Sequence, residues 1–120
     1  MNTTPIEFMA WDVEELKIRR VVEINYPEWI VCVYDDYENT QCERNSFKNE
    51  GSDRFMLMQL TALRSINDEP IYNHMIVKNE CDDLFEVDMF DYMLMCQLDR
   101  MQLQIIGNRF QHSELWEMCK

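Results

Sequence analysis

Short apolar runs separated by polar breaks dominate the chain. Arg19–Ile24 is short, β-branched and partly alternating, and predicts a strand. Tyr26-Pro27-Glu28 interrupts it, and Trp29–Tyr34, dense in Val, Ile and aromatic residues, predicts a second. Asp35-Asp36-Tyr37-Glu38-Asn39 predicts an acidic turn or hairpin loop. Gln41–Asp53 is polar, with Asn45, Ser46, Asn49, Gly51 and Ser52, and predicts a long surface loop. Phe55–Leu60 is apolar at nearly every position, which fits a buried strand or a short helix. Arg64–Pro70 has a turn composition around Asn67-Asp68, and Ile71–Val77 predicts a further strand.

From Leu84 onward the pattern alternates. Leu84, Glu86 and Asp88 fall on one face of an extended chain, and Phe85, Val87 and Met89 on the other. Met101–Ile106 alternates in the same way and predicts a half-buried strand closed by Gly107-Asn108. Ser113 is placed to cap a final helical turn through Leu115, Trp116 and Met118. Met93–Leu98 fits helix and strand alike. No repeat recurs and no linker divides the chain, so residues 1–120 are expected to form a single domain. The expected class is mainly β or α+β: a compact sheet or small barrel with minor helices.

Composition then narrows the function. The chain has 120 residues, 47% of them apolar and 28% charged, which suits a folded domain. Lys plus Arg is 11 and Asp plus Glu is 23, giving a net charge of -12. That sign excludes sequence-independent binding to nucleic acid or to an anionic membrane, and it permits a basic protein partner. With 2 Gly and 3 Pro, collagen-like, linker-rich and P-loop designs are excluded. The first ten residues lack a basic start and an apolar core, so no secretory signal is expected, and no apolar run is long enough to span a membrane. The five cysteines are Cys32, Cys42, Cys81, Cys96 and Cys119, an odd count with no C-x-x-C spacing. They are expected to be reduced, mostly structural thiols of a cytoplasmic protein. Ten methionines suggest an adaptable core and contact surface.

Three segments point to a family. Glu7-Phe8-Met9-Ala10-Trp11-Asp12 is similar to K-F-R-A-W-D. Leu57-Met58-Gln59-Leu60-Thr61-Ala62-Leu63, with Glu69-Pro70-Ile71-Tyr72 and Ile76-Val77, is similar to L-M-Q-Y-T-G-L followed by K-E-I-Y-E-G-D-I-V. Ile106-Gly107-Asn108-Arg109-Phe110, then Glu114-Leu115, is similar to V-I-G-N-I-Y-E-N-P-E-L. In this order and spacing the chain resembles the YopX family of phage and prophage proteins, as a divergent member. Ala62 replaces a family glycine, Asn67-Asp68 replaces an N-G turn, and Asn73-His74-Met75 replaces E-G-D. Glycines that allow positive φ are gone, so the turns are expected to be rebuilt. The resemblance implies a β-rich fold with an SH3-like β-barrel, a tendency to self-associate into homo-oligomers, and a phage or prophage origin. It implies no catalytic residues.

Candidate chemistry is sparse. Cys81 with His74 is a conceivable nucleophile pair, but no flanking signature supports it. Glu80 with Asp82 and Asp83 offers carboxylates for a hard cation, but the EF-hand spacing and its glycine are absent. No enzyme activity, metal or cofactor is therefore expected. The acidic segment from Asn79 to Asp99 is the most informative feature: it holds Glu80, Asp82, Asp83, Glu86, Asp88, Asp91 and Asp99 and no Lys or Arg. Alternate side chains of a strand stand about 6.8 Å apart, and duplex phosphates advance about 3.4 Å per strand step. Glu86 and Asp88 are thus spaced like phosphates two steps apart, although a solvated acidic face kept for solubility shares that spacing. Asp35 and Asp36, with Glu38 and flanked by Tyr34 and Tyr37, form a second acidic patch suited to a protein interface. Phe8, Trp11, Phe110 and Trp116 are expected to be core anchors. The resulting expectation is a phage protein that inhibits a host nucleic-acid-handling defence nuclease, such as a CRISPR effector or restriction enzyme. It would do so by occupying a basic groove, with Glu80, Asp82, Asp83, Glu86, Asp88 and Asp91 as contacts and Asp35 and Asp36 secondary. The rival is a self-assembling structural or accessory phage protein.

Overall fold

The structure is a computed structural model and describes residues 7–48 and 53–119. Asn49, Gly51 and Ser52 of the expected long loop lie outside them. The chain is mainly β, with antiparallel pairing and two short helices among the described residues. Its contacts gather into two compact units, which are described in turn. The first is Glu7–Met58, and the second runs from Gln59 onward.

The first unit is a succession of hairpins. Strand β1 (Phe8–Asp12) pairs with β2 (Lys17–Asn25), β2 with β3 (Ile30–Tyr34), and β3 with β4 (Thr40–Arg44). Strand β5 (Phe55–Arg64) contributes its first residues to this unit, where Ala10, Val31, Val33, Phe55 and Leu57 form the buried core. Phe8, Val21, Ile24 and Phe47 pack against it. The acidic turn forms as expected: Asp35 N donates to Asn39 O at 2.8 Å, and Glu38 turns the chain with φ 63°. The expected polar loop is corrected at its start. Thr40–Arg44 is a strand, because β3 offers it a full ladder from Ile30 to Tyr34. That ladder sets Cys32 opposite Cys42, and the two are joined in a disulfide. The expectation of five reduced thiols is therefore corrected for this pair; Cys81, Cys96 and Cys119 are free.

A buried ion network ties β1 to β2 and to the start of β5. Asp12 is fully buried, and its carboxylate accepts from Arg19 Nε at 2.8 Å and Arg54 Nε at 3.0 Å. The same group caps the β1–β2 turn, accepting from Glu14 N at 3.0 Å and Glu15 N at 3.2 Å. Burial pushes the Asp12 carboxyl up, but hydrogen bonds from Arg54 and then Arg19 outweigh it and hold its pKa at about 2.

In the second unit, the later part of β5 pairs with β6 (Pro70–Tyr72), and β7 (Met75–Lys78) lies between β8 (Leu84–Glu86) and β9 (Gln104–Asn108). Helix α1 (Tyr92–Leu98) resolves the ambiguous stretch, and α2 (Ser113–Glu117) ends the described chain. Ser113 opens α2 rather than capping it; His112 holds the cap position. The expected strand Ile71–Val77 is two strands, split by a turn at Asn73-His74. Asp68 and His74 turn the chain with positive φ, 60° and 72°. Among the described residues neither unit closes its sheet into a barrel.

Candidate protein-binding surface

The acidic segment sits on the β7–β8 hairpin and the chain leading into α1. Asn79 organises the tip: its side-chain oxygen accepts from Cys81 N and Asp83 N, each at 2.9 Å. Asp82 takes φ 64°, a conformation aspartate tolerates better than most residues. With the buried Asn79 closing the loop from inside, Glu80, Asp82 and Asp83 are exposed. Asp82 is 3.4 Å from Lys78, and Glu80 accepts from Gln102 N at 2.8 Å.

At the other end of β8, Asp88 and Asp91 are also exposed. Asp88 accepts from Phe90 N at 3.1 Å, and Asp91 caps α1 by accepting from Leu94 N at 3.1 Å. An extended chain from Asp83 to Asp88 covers roughly 17 Å. The carboxylates therefore form two exposed groups on one hairpin, not a continuous belt.

Glu86, between them, is not available to a partner. Its side chain is 17% exposed and faces three donors: His74 Nδ1 at 3.1 Å, Arg109 Nη1 at 3.3 Å, and Trp116 Nε1. Burial pushes its carboxyl up, while His74, Arg109 and Trp116 together outweigh this and hold it below its ordinary range. Arg109 in turn lies over the Trp116 ring, 4.5 Å from its centre. Glu86 is thus an internal hub that joins β8 to α2, and the alternation that paired it with Asp88 ends because β8 ends at Glu86. Trp116 and the half-buried Phe110, whose ring meets His74 edge-on at 5.4 Å, anchor this cluster. In the first unit Trp11 is buried and Phe8 packs on the core, as expected of anchors.

Asp35 and Asp36 belong to the first unit and are already engaged. Asp35 accepts from Tyr37 N at 2.8 Å and Asn39 N at 2.9 Å, which shapes the β3–β4 loop. Asp36 pairs with Lys17 at 2.8 Å and Arg19 at 3.1 Å, and those two cations lower its pKa. His74 and Cys81 stand at opposite ends of β7, roughly 13 Å of strand apart and beyond hydrogen-bond reach. Among the described residues no three His, Cys, Asp or Glu side chains gather to hold a metal ion.

Sequence reasoning missed the groups between the acids. Phe90, Tyr92 and Met93 are 82%, 78% and 68% exposed. Their signal was a run of large apolar residues inside an otherwise acidic segment, with Asp91 as a helix cap. The Tyr92 hydroxyl bonds Cys96 one turn along, which raises its pKa. No family model matches the chain, and no curated protein matches it. No helix among the described residues is long and apolar enough to cross a membrane.

Proposed function

We propose that this chain is an acidic binding module, of phage or prophage origin, that occupies the basic nucleic-acid-binding surface of a host defence nuclease in the cytoplasm. The observation that carries the reading is the exposed pair of carboxylate groups on one hairpin, Glu80, Asp82 and Asp83 at the tip and Asp88 and Asp91 at the base, in a chain of net charge -12. A basic groove attracts such a surface over several ångströms, and the attraction weakens with salt. The origin and the inhibitory role rest on the YopX resemblance. Non-glycine residues with positive φ at two of the family's glycine positions support it, and the SH3-like barrel belongs to the same proposal, supported by hairpin connections between consecutive strands.

The rival is self-assembly. β4 is the end strand of its sheet among the described residues, but it carries Glu43 and Arg44, charges that discourage edge-to-edge pairing. Mass measurement in solution reads this directly, and a stable ring favours assembly.

The test is a triple charge reversal, Asp82→Lys, Asp83→Lys and Asp88→Lys, which spares Glu86 and the α1 cap. The parent protein recovers a nuclease from host lysate at about 50 mM salt, releases it by about 500 mM, and blocks its cleavage of nucleic acid. The folded triple variant does neither. Normal inhibition by that variant refutes the assignment.

A further inference from the structure

Resting on that reading, we infer that Asp88–Met93 fits a groove for single-stranded nucleic acid, not one for duplex. Carboxylates and apolar side chains interleave along this exposed segment: Asp88, then Phe90, then Asp91, then Tyr92 and Met93. A duplex hides its base faces in the stack and offers a groove mainly phosphates and base edges. A single strand offers base faces beside its phosphates, and proteins that hold it combine a cationic track with aromatic or apolar platforms. The exposed Phe90 and Tyr92 rings match such platforms, and Asp88 and Asp91 match the track.

The segment is held in place before any partner arrives. Asp91 N donates to Asp88 O at 3.0 Å, Asp88 accepts from Phe90 N, and Asp91 caps α1. Ordering it on binding therefore costs little conformational entropy. Beside Met93, a cleft of about 250 Å³ lined by Met93, Cys96, Gln97 and Arg100 offers room for one partner side chain. Charge selects the occupant: the exposed Asp88 and Asp91 flank these rings, so a partner surface that meets them is cationic.

The experiment uses the whole chain, immobilised in host lysate at low salt, with two eluents matched in phosphate: a 20-mer oligothymidylate and a duplex of about the same length. The bound nuclease is released by the oligothymidylate at about tenfold lower concentration than by duplex. The folded double variant Phe90→Ala, Tyr92→Ala loses retention about tenfold or more. Equal release by duplex, or unchanged retention of the double variant, overturns the single-strand assignment and leaves the charge-based function standing. A dimer that the same substitutions dissociate also overturns it, because the rings are then covered by a second copy. Absence of any salt-sensitive retention overturns both.

Discussion

Replacing Asp12 with Asn removes one charge from the centre of a buried network. The carboxylate is 0% exposed and lies between the guanidiniums of Arg19 and Arg54, whose side chains are 6% and 16% exposed. Asn keeps the volume and can still cap the turn, but two cations lose their counter-charge away from water. Breaking a buried pair in this way costs about 3–5 kcal/mol, a large part of what a domain of this size has. The pH dependence gives an independent figure. The folded pKa is lowered from 3.8 to about 2, so the carboxylate stabilises the fold fully above pH 3.8, and the contribution is lost as pH falls through about 2. That shift corresponds to about 2 kcal/mol. Urea unfolding followed by tryptophan fluorescence, repeated from pH 7 to pH 2, measures both effects; Trp11 is buried. Asp12→Asn lowers stability at neutral pH and flattens the acid limb. Asp36→Asn, which removes an exposed partner of Arg19, costs less than Asp12→Asn because solvent screens that pair. An Asp12→Asn protein within about 0.5 kcal/mol of the parent, or one with an unaltered acid limb, refutes the reasoning.

Three further outcomes are expected. Leu16 is 67% exposed with φ 56°, a conformation that strains an L-residue by about 1–2 kcal/mol. After the backbone entropy of glycine is counted, Leu16→Gly gains about 0.5–1 kcal/mol, read as a rise in Tm of a few degrees. A Cβ on Gly107 would overlap the His112 ring, so Gly107→Ala costs about 1–3 kcal/mol, and adding His112→Ala restores part of it; equal stability of Gly107→Ala and parent contradicts that packing. Reducing the Cys32–Cys42 bond, whose ends are 10 residues apart, lowers stability by about 2–3 kcal/mol on the chain-entropy model. Once the pair is reduced the hairpin depends on its ladder; free-thiol counting with and without reductant measures the change.

Strand signals in the chain were legible where side chains alternate against a core. The β2 and β3 segments, the Asp35–Asn39 turn and the start of β5 follow from residue type alone, because β-branched residues, short polar breaks and buried runs report local conformation. β4 was not legible: Thr40–Arg44 is polar and owes its extended form to β3, and the Cys32–Cys42 bond follows from that register, not from spacing. The segment Ile71–Val77 reads as one strand from its apolar residues, and Asn73, a common turn former, is the one local sign of the break between β6 and β7.

The acidic segment shows the same division. Sequence alone determined the sign of the surface, because 23 carboxylates outnumber 11 basic residues wherever they are placed. Only the folded chain decided which carboxylates reach solvent. Glu86 is drawn inward because His74, Arg109 and Trp116, distant in sequence, bring three donors to one half-buried position. Phe90 and Tyr92 are left outside because Asp88 and Asp91 use their oxygens to hold the backbone of that bend. Charge is a property of composition; its availability depends on which donors the tertiary fold carries to it.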